Sequence, residues 1–180
     1  MKFRLVKDFM IPVDEYPKVR QTASIYDAMQ TLKAEQQKQP PGKPAFRAVL
    51  VLNSEDRVVG KVGHATFLKA LEPRYKDVFD MDKLSRVQLS SKFIDSIKEH
   101  FNLWTGEVDL CRVARTTPIS EIMRPIEEHV EADATLAEAI HKFLMWQCLS
   151  VLVTSGKEIV GILRLSDIYS EMENYILHCE

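Results

Sequence analysis

Cysteine is scarce and scattered in this chain, and its pattern argues against two kinds of architecture. Of the 180 residues three are cysteine, Cys111, Cys148 and Cys179, and they form no CxxC pair and no Cys/His cluster. Structural zinc sites and disulfide frameworks need paired or closely spaced ligands. We therefore expect reduced thiols, as in a cytoplasmic protein.

Long apolar runs are also missing. No stretch of the sequence approaches the ~20 consecutive apolar residues that a membrane-spanning helix needs. The first residues lack the apolar core of a signal peptide. The sequence therefore predicts a cytoplasmic location and no membrane partner.

The chain has little excess charge of either sign and none of the common catalytic motifs. Its net charge is -2 and its pI is about 6.2, whereas a nucleic-acid-binding domain normally has a basic face and a high pI. HExxH, GxxxxGK[ST] and GxGxxG do not occur. Acidic neighbours such as Glu127 and Glu128 are most simply a solvated face. We expect no nucleic-acid partner, no metal, no required cofactor and no enzymatic activity.

The sequence does contain an internal repeat. The tetrapeptide at residues 9–12, which includes Met10 and Pro12, has a counterpart at residues 122–125, which includes Met123. Each copy follows a short helix-like stretch. Because proline simply ends a helical turn, Met-x-Pro alone is weak evidence. The alternative at this point is an unrepeated α/β domain with a coincidental match.

A helix is predicted after each copy. Residues 22–29 and 133–140 both begin with residues that favour a helix N-cap. Apolar residues then recur at the spacing of one helix face. They are Ile25, Ala28, Met29 and Leu32 in the first copy, and Leu136, Ile140, Phe143 and Leu144 in the second.

Two strands and a final helix complete each copy. Short β-branched runs separated by polar turn residues predict a hairpin. Strands are expected at residues 48–52, 58–62, 150–153 and 159–163, and closing helices at residues 65–71 and 166–176. Because four features recur in the same order, the sequence favours a true repeat.

The predicted organisation has three segments. Repeat 1 covers residues 1–71, with a proline-rich loop insertion near residues 36–45; a linker covers residues 72–117; and repeat 2 covers residues 118–180. Helical spacing in the linker joins Val78, Met81, Leu84 and Val87, and then Phe93, Ile97, Phe101 and Trp104. Such helices cover the core or a second subunit, or they form a partner-binding surface.

The repeated pattern resembles the tandem cystathionine-β-synthase-type (CBS) pair, or Bateman module. The matching stretches are residues 6–71 and 119–175, with the Val-Gly turns at residues 59–60 and 160–161 among the recurring elements. The resemblance implies an α/β (α+β) fold class, with two βαββα repeats packed as a pseudo-twofold pair around two clefts and a helical linker between them. It also implies a homodimer.

The resemblance further implies a ligand site in repeat 2. Nucleotide-binding members carry Gly-h-x-Thr/Ser-x-x-Asp, where h is hydrophobic, after the second hairpin strand. Here Gly161 opens the motif, Arg164 takes the hydroxyl position and Asp167 takes the ribose-binding position. Arginine can pair with a phosphate through its planar fork. Ser166 belongs to the same candidate site, and the alternative is that Ser166 or Asp167 only caps the last helix.

Repeat 1 carries a degenerate version of the motif. Gly63, His64 and Thr66 fill its positions, so the sequence favours the cleft served by Asp167 if only one cleft binds a nucleotide. The resemblance places the adenine slot in the short extended segment before the first helix of each repeat and on the first hairpin strand. The candidate residues there are Val19, Gln21, Val130, Ala132, Val151 and Leu152.

Two functions of different classes follow from the resemblance. The first is a regulatory module that binds AMP, ADP, ATP or S-adenosylmethionine in an inter-repeat cleft and signals in trans to an unidentified protein partner. The alternative is a scaffold or dimerisation protein whose clefts are vestigial. A shift in melting temperature with a nucleotide distinguishes the first from the second.

Overall fold

Two α/β units joined by a helical linker make up the described part of the chain. A computed structural model describes residues 4–76, 89–105, 108–124 and 126–178. The helix predicted through Val78, Met81, Leu84 and Val87 lies outside these ranges, as does Cys179.

The secondary structure of the described ranges follows the predicted order in both repeats. The strands are β1 (Ile11–Pro12), β2 (Lys18–Arg20), β3 (Ala48–Leu52), β4 (Val58–Gly63), β5 (His129–Glu131), β6 (Ser150–Ser155) and β7 (Glu158–Arg164). The helices are α1 (Ile25–Lys38), α2 (His64–Leu71), α3 (Ser91–His100), α4 (Leu110–Thr116), α5 (Leu136–Trp146) and α6 (Leu165–Leu177). Short 3-10 helices occur at Val6–Asp8, Val13–Glu15, Pro73–Lys76 and Ile119–Glu121.

The two sheets have matching topologies. In repeat 1, β2 runs parallel to β3, and β3 pairs antiparallel with β4. In repeat 2, β5 runs parallel to β6, and β6 pairs antiparallel with β7. The parallel pairs are possible because α1 and α5 return the chain across the sheet. The predicted fold class, two βαββα repeats with helices and mixed sheets, is confirmed.

The segment that contains the methionine of each Met-x-Pro, at residues 6–12 and 119–124 and called the lead segment from here on, crosses to the other repeat. The sequence did not indicate this crossing. The backbone N–H groups of Val6 and Lys7 donate to the carbonyls of Ala134 and Ala132, each at 2.9 Å. Strand β1 then pairs with β7 at the edge of the second sheet. In the opposite direction, the N–H of Ile119 donates to the Ala23 carbonyl at 2.8 Å. Each repeat is therefore completed by a segment from the other half of the chain.

Helices α1 and α5 have their N-caps at Ser24 and Thr135, two residues after the predicted cap positions, and their buried faces also differ slightly from the prediction. The Ser24 hydroxyl accepts from the Asp27 N–H at 3.1 Å, and the Thr135 hydroxyl accepts from the Glu138 N–H at 3.2 Å. The buried stripe follows i, i+3 and i+7 in both helices; it contains Ile25, Ala28 and Leu32 in α1, and Leu136, Ala139 and Phe143 in α5. The prediction was wrong for Met29 and Leu144, which are 41% and 67% exposed, because a position one residue further round turns toward water.

The sheets use their two faces differently. Val151, Val153 and Leu163 are buried in the core of repeat 2, together with residues of α5. The alternating neighbours Leu152 and Ile162 are buried in the core that belongs mainly to repeat 1. Successive residues of a strand point to opposite faces, so one face of this sheet packs on its helix and the other on the first repeat.

A buried carboxylate directly after α2 joins two parts of the linker. Glu72, only 1% exposed, accepts from Arg74 Nε at 2.8 Å and from Arg74 Nη2 at 3.0 Å. It also accepts from the Trp104 backbone N–H at 2.8 Å. The predicted helix through Phe93 is present as α3, but it ends at His100, so Trp104 lies after it. The proline-rich insertion forms a loop only from residue 39, because α1 continues to Lys38.

Candidate ligand-binding clefts

Two clefts of unequal size lie where the repeats meet. The large cleft has a volume of about 800 Å³ and is lined from repeat 1 by the β4–α2 junction and from repeat 2 by the ends of α5, β6 and β7. The small cleft, of about 280 Å³, is lined by the first lead segment, by residues 43–46 of the insertion region, and by Arg164 and Asp167. Small-molecule sites typically occupy ~300–1,000 Å³, so only the large cleft falls well within that range.

The small cleft is partly filled by an ion pair between two of the predicted site residues. Arg164 Nε and Nη2 each donate to a carboxylate oxygen of Asp167 at 2.6 Å. Arg164 Nη1 also donates to the Pro44 carbonyl at 2.8 Å, and its guanidinium lies 5.6 Å from the centre of the Phe46 ring. The structure therefore brings Arg164 and Asp167 together, but their charged groups bond to each other. Neither Ser166 nor Asp167 is the N-cap residue of α6. Arg164 occupies that position, and its side chain makes no capping hydrogen bond to the helix backbone.

The degenerate motif of repeat 1 lies at the large cleft. Gly63, His64 and Thr66 line it from the start of α2, and Ser166 lines it from α6. The His64 backbone N–H donates to the Arg47 carbonyl at 3.1 Å. Ser166 therefore shares a cleft with the repeat 1 residues instead of with Asp167.

The large cleft also contains two cations that the sequence analysis missed. Lys61 of β4 and Arg124 of the second lead segment both line it, together with Glu128. Lys61 Nζ donates to the Ser150 carbonyl and lies 3.4 Å from the Ser150 hydroxyl. Burial lowers the pKa of Lys61; nearby Cys148 and Glu128 oppose this shift, while Arg124 adds to it. Aligning Met10 with Met123 and Gly60 with Gly161 would have revealed both cations, because the positions equivalent to Arg124 and Lys61 hold Ile11 and Ile162.

Aromatic side chains form another part of the wall. Trp146, at the end of α5, and Tyr169, on α6, line the large cleft, as does Tyr16. Tyr16 is buried and meets Phe46 edge-on at 4.9 Å between ring centres. Burial raises the pKa of Tyr16 to about 12, which keeps its hydroxyl protonated. A flat, partly apolar group with an anionic tail suits these surroundings.

The residues predicted for the adenine slot lie in the two cores, except Gln21, which is half-buried and outside them. Four of them are buried in β-strands, namely Val19, Val130, Val151 and Leu152, and Ala132 is 9% exposed. Among the described residues that line either cleft, none is one of these five and none is Gln21. The Gln21 and Ala132 carbonyls accept from the backbone N–H groups of Ser120 and Lys7. The crossing lead segments thus use backbone groups that the resemblance assigned to the base.

Gly161 likewise faces a lead segment. A Cβ added to it would lie 2.7 Å from the Ile11 carbonyl oxygen and 2.8 Å from the Met10 sulfur. The close approach that this glycine permits is that of a neighbouring strand.

Three further observations concern metals, thiols and membranes. No group of three His, Cys, Asp or Glu side chains that could hold a metal ion occurs within residues 4–76, 89–105, 108–124 and 126–178. Within the part of the chain that the structure describes, Cys111 and Cys148 form no disulfide. Among the helices of the described ranges, none combines the length and apolar character required to cross a bilayer.

Comparison with known proteins agrees with this architecture. The CBS domain model matches residues 119–174. No curated protein matches the chain. The fold is similar to that of CBSX2, a CBS-pair protein from Arabidopsis thaliana, with a TM-score of 0.62 at 16% identity over 98% of this chain and 99% of that one.

Two other solved structures show the same likeness. CBSX2 in complex with AMP gives a TM-score of 0.61 at 19% identity, over 95% of this chain and 97% of that one. A protein from Methanocaldococcus jannaschii gives a TM-score of 0.57 at 20% identity over 94% of this chain, which spans 60% of the length of that one.

The chain has the fold of a pair of CBS repeats. Residues 119–174 match the CBS domain model, and repeat 1 has the same sheet topology as repeat 2.

Proposed function

We propose that this chain is a regulatory module that binds an adenine nucleotide or an adenosyl ligand between its repeats and signals its occupancy in trans to a protein partner. The observation that carries the proposal is the large cleft, with its aromatic and cationic walls at the junction of both repeats. The AMP complex of CBSX2, which has the same fold, supports an adenine nucleotide as the ligand. The role is regulatory and not catalytic, and the setting is the cytoplasm.

The ligand is assigned to the large cleft and not to the one that contains Asp167. The Asp167 carboxylate already accepts a hydrogen bond from Arg164 on each of its oxygens, so a ribose in the small cleft would have to share it with that guanidinium. Charge-assisted bidentate bonds of this kind are among the stronger polar contacts in proteins. A ligand in the small cleft would therefore compete with an internal partner, whereas the large cleft offers room without that exchange.

A thermal-shift series tests the assignment. The purified protein is melted with millimolar AMP, ADP, ATP and S-adenosylmethionine, because a ligand that binds only the folded state raises its stability by RT ln(1 + [L]/Kd). We expect at least one ligand to raise the melting temperature. The Thr66→Trp variant fills the large cleft from the first turn of α2 and should lose the shift, whereas Asp167→Asn should retain it. No shift with any of these ligands would contradict the proposal.

A scaffold with vestigial clefts is the second candidate, and one feature favours it. Large apolar side chains on α5, in the loop after it and on α6 are more than half exposed; they are Leu144, Met145, Leu149 and Tyr169. Exposed apolar groups on neighbouring elements mark association surfaces. We propose that this surface joins two copies into a homodimer in both candidate functions.

Light scattering behind size exclusion tests the dimer separately from the ligand. The Leu144→Glu and Met145→Glu variants, at exposed residues that do not line the large cleft, should shift the mass from two chains toward one, while Lys157→Glu, in the exposed turn between β6 and β7, should not. A dimer that binds no adenine compound would favour the scaffold. A native protein that runs as a monomer would overturn the dimer proposal.

A further inference from the structure

Lys61 and Arg124 are direct cross-strand neighbours in the wall of the large cleft. The Lys61 N–H donates to the Arg124 carbonyl at 3.3 Å, and the Arg124 N–H donates to the Lys61 carbonyl at 3.2 Å. Residues paired in this way carry their side chains on the same face of the sheet. Two cations therefore stand side by side where the second lead segment joins β4.

The equivalent pair in the other repeat is apolar. Ile11 of β1 pairs with Ile162 of β7 in the same antiparallel arrangement. These isoleucines correspond to Arg124 and Lys61 when the repeats are aligned on the Met-x-Pro segments and on the glycines Gly60 and Gly161. Ile162 is fully buried. The fold therefore accepts aliphatic side chains at this pair of positions, and the cations are not required to build it.

The pair places two like charges side by side, with Lys61 half-buried and Arg124 exposed. Like charges directly opposite each other destabilise an antiparallel pair. Burial and Arg124 both lower the pKa of Lys61, against the opposing influence of Cys148 and Glu128, and the Lys61 ammonium donates to the neutral Ser150 carbonyl. A local cost at a position where the sister repeat has none is expected at a functional site. An anionic ligand would relieve it.

The carboxylate expected for ribose is missing from this same cleft. Thr66 occupies the position that Asp167 holds in repeat 2, so recognition here cannot depend on a carboxylate at that position. A lysine supplies a point charge and an arginine a planar fork, and both recognise phosphate oxygens.

We infer that Lys61 and Arg124 make the large cleft selective for a phosphate-bearing ligand, a nucleotide in preference to a nucleoside or a cationic sulfonium compound. This inference rests on the proposed function, because it names the ligand class of the same cleft. Lys61 and Arg124 contact the phosphate, and the aromatic walls contact the base.

Calorimetric titration of the full chain with AMP, adenosine and S-adenosylmethionine tests the selectivity. We expect AMP to bind about tenfold or more tightly than adenosine or S-adenosylmethionine, since hydrogen bonds between charged groups contribute ~1.5–3 kcal/mol. Lys61→Met and Arg124→Gln should each weaken AMP about tenfold and leave adenosine nearly unchanged. Lys61→Arg should retain most of the affinity. Lys157→Gln changes the net charge equally at an exposed turn and should match the native protein.

The possible results separate this inference from the proposed function. Equal affinity for AMP and adenosine, or unchanged AMP affinity in both Lys61→Met and Arg124→Gln, would overturn the phosphate selectivity and leave an adenosine-binding module. Absence of binding by all three compounds would overturn the proposed function itself. Lys61→Met removes a desolvated charge, so it should melt no lower than the native protein, and a loss of AMP affinity in a folded Lys61→Met protein supports the inference.

Discussion

Gly161 lies so close to the Ile11 carbonyl oxygen that a Cβ on this residue would be 2.7 Å away from it. The pseudo-twofold mate, Gly60, stands in the same relation to the Arg124 carbonyl, at 2.6 Å. At both places the nearest atom belongs to the backbone of a crossing lead segment, which cannot move away without a shift of the strand. The absence of a side chain at these two glycines therefore permits the close approach of the lead segments that joins the two repeats.

Replacing either glycine should destabilise the protein. Gly161→Ala and Gly60→Ala are each expected to lower the free energy of unfolding by about 1–3 kcal/mol, the usual cost of overpacking. Urea denaturation followed by circular dichroism measures it. Gly63→Ala is the matched control, because its Cβ would lie 3.6 Å from the nearest atom, an ordinary contact. Equal effects at all three positions would contradict the steric explanation.

The ion pair of Arg164 and Asp167 should contribute to stability, since both side chains are largely buried, at 9% and 18% exposure. Asp167→Asn removes the charge that balances Arg164, and we expect a loss of about 1–3 kcal/mol. Asp14→Asn removes a carboxylate from an exposed pair with Lys18 and should change the stability by less than about 1 kcal/mol. Chemical denaturation of both variants makes the comparison, and a neutral Asp167→Asn would show that the pair contributes little.

Glu72 should make the internal contacts of the linker sensitive to acid. Its hydrogen bonds from Arg74, and then that from the Trp104 N–H, lower the pKa of the carboxyl below its ordinary 4.5, against the effect of burial. A carboxyl with a lowered folded-state pKa stabilises the fold above its unfolded-state pKa, and this contribution is lost as the pH falls through the folded-state value. Stability should therefore decline below about pH 4.5.

Melting curves of the native protein and of Glu72→Gln isolate this contribution. They are recorded between pH 3 and pH 7, roughly the interval in which carboxyl groups titrate. The variant should lose stability at neutral pH and show a weaker decline on the acid side. Glu35→Gln, in a surface pair with Lys38, should follow the native profile. Parallel profiles for the native protein and Glu72→Gln would rule out Glu72 as the source.

The cap of α1 offers a test independent of the clefts. The Ser24 hydroxyl accepts from the Asp27 N–H, and the Asp27 carboxylate accepts from the Ser24 N–H at 3.1 Å. Ser24→Ala should cost about 1 kcal/mol and should raise the pKa of Asp27 toward its ordinary value, because the Ser24 side chain is the main cause of its lowering. Titration followed by NMR reads the pKa directly. Ser54→Ala, in the exposed β3–β4 turn, should leave both quantities unchanged.

The sequence predicted the elements well because their signals are local. Hairpin strands, caps and helix periods depend on neighbours within a few residues, so β3 was predicted at its observed bounds and α2 within one residue. The crossing of the lead segments left no such signal, since the pairing of Ile11 with Ile162 depends on contacts far apart in sequence.

The site was harder to predict than the fold for the same reason. Arg164 and Asp167 were predicted to lie in one ligand site, but their mutual bonds and the approach of Pro44 depend on side-chain placement. Lys61 was overlooked because it occupies a position that carries no polar residue in the family motif. Comparing the two halves of this chain with each other, and not only with the family, would have revealed it.

The exchange of lead segments also constrains how the protein can be made. Strand β4 cannot pair with the second lead segment until residue 124 has been synthesised. Strand β1 has no partner until residue 162 has been synthesised. Such non-local pairings form late, because the intervening loop has to close first. The N-terminal half should therefore remain incomplete on the ribosome, and two fragments cut in the linker should recover the fold only when they are mixed.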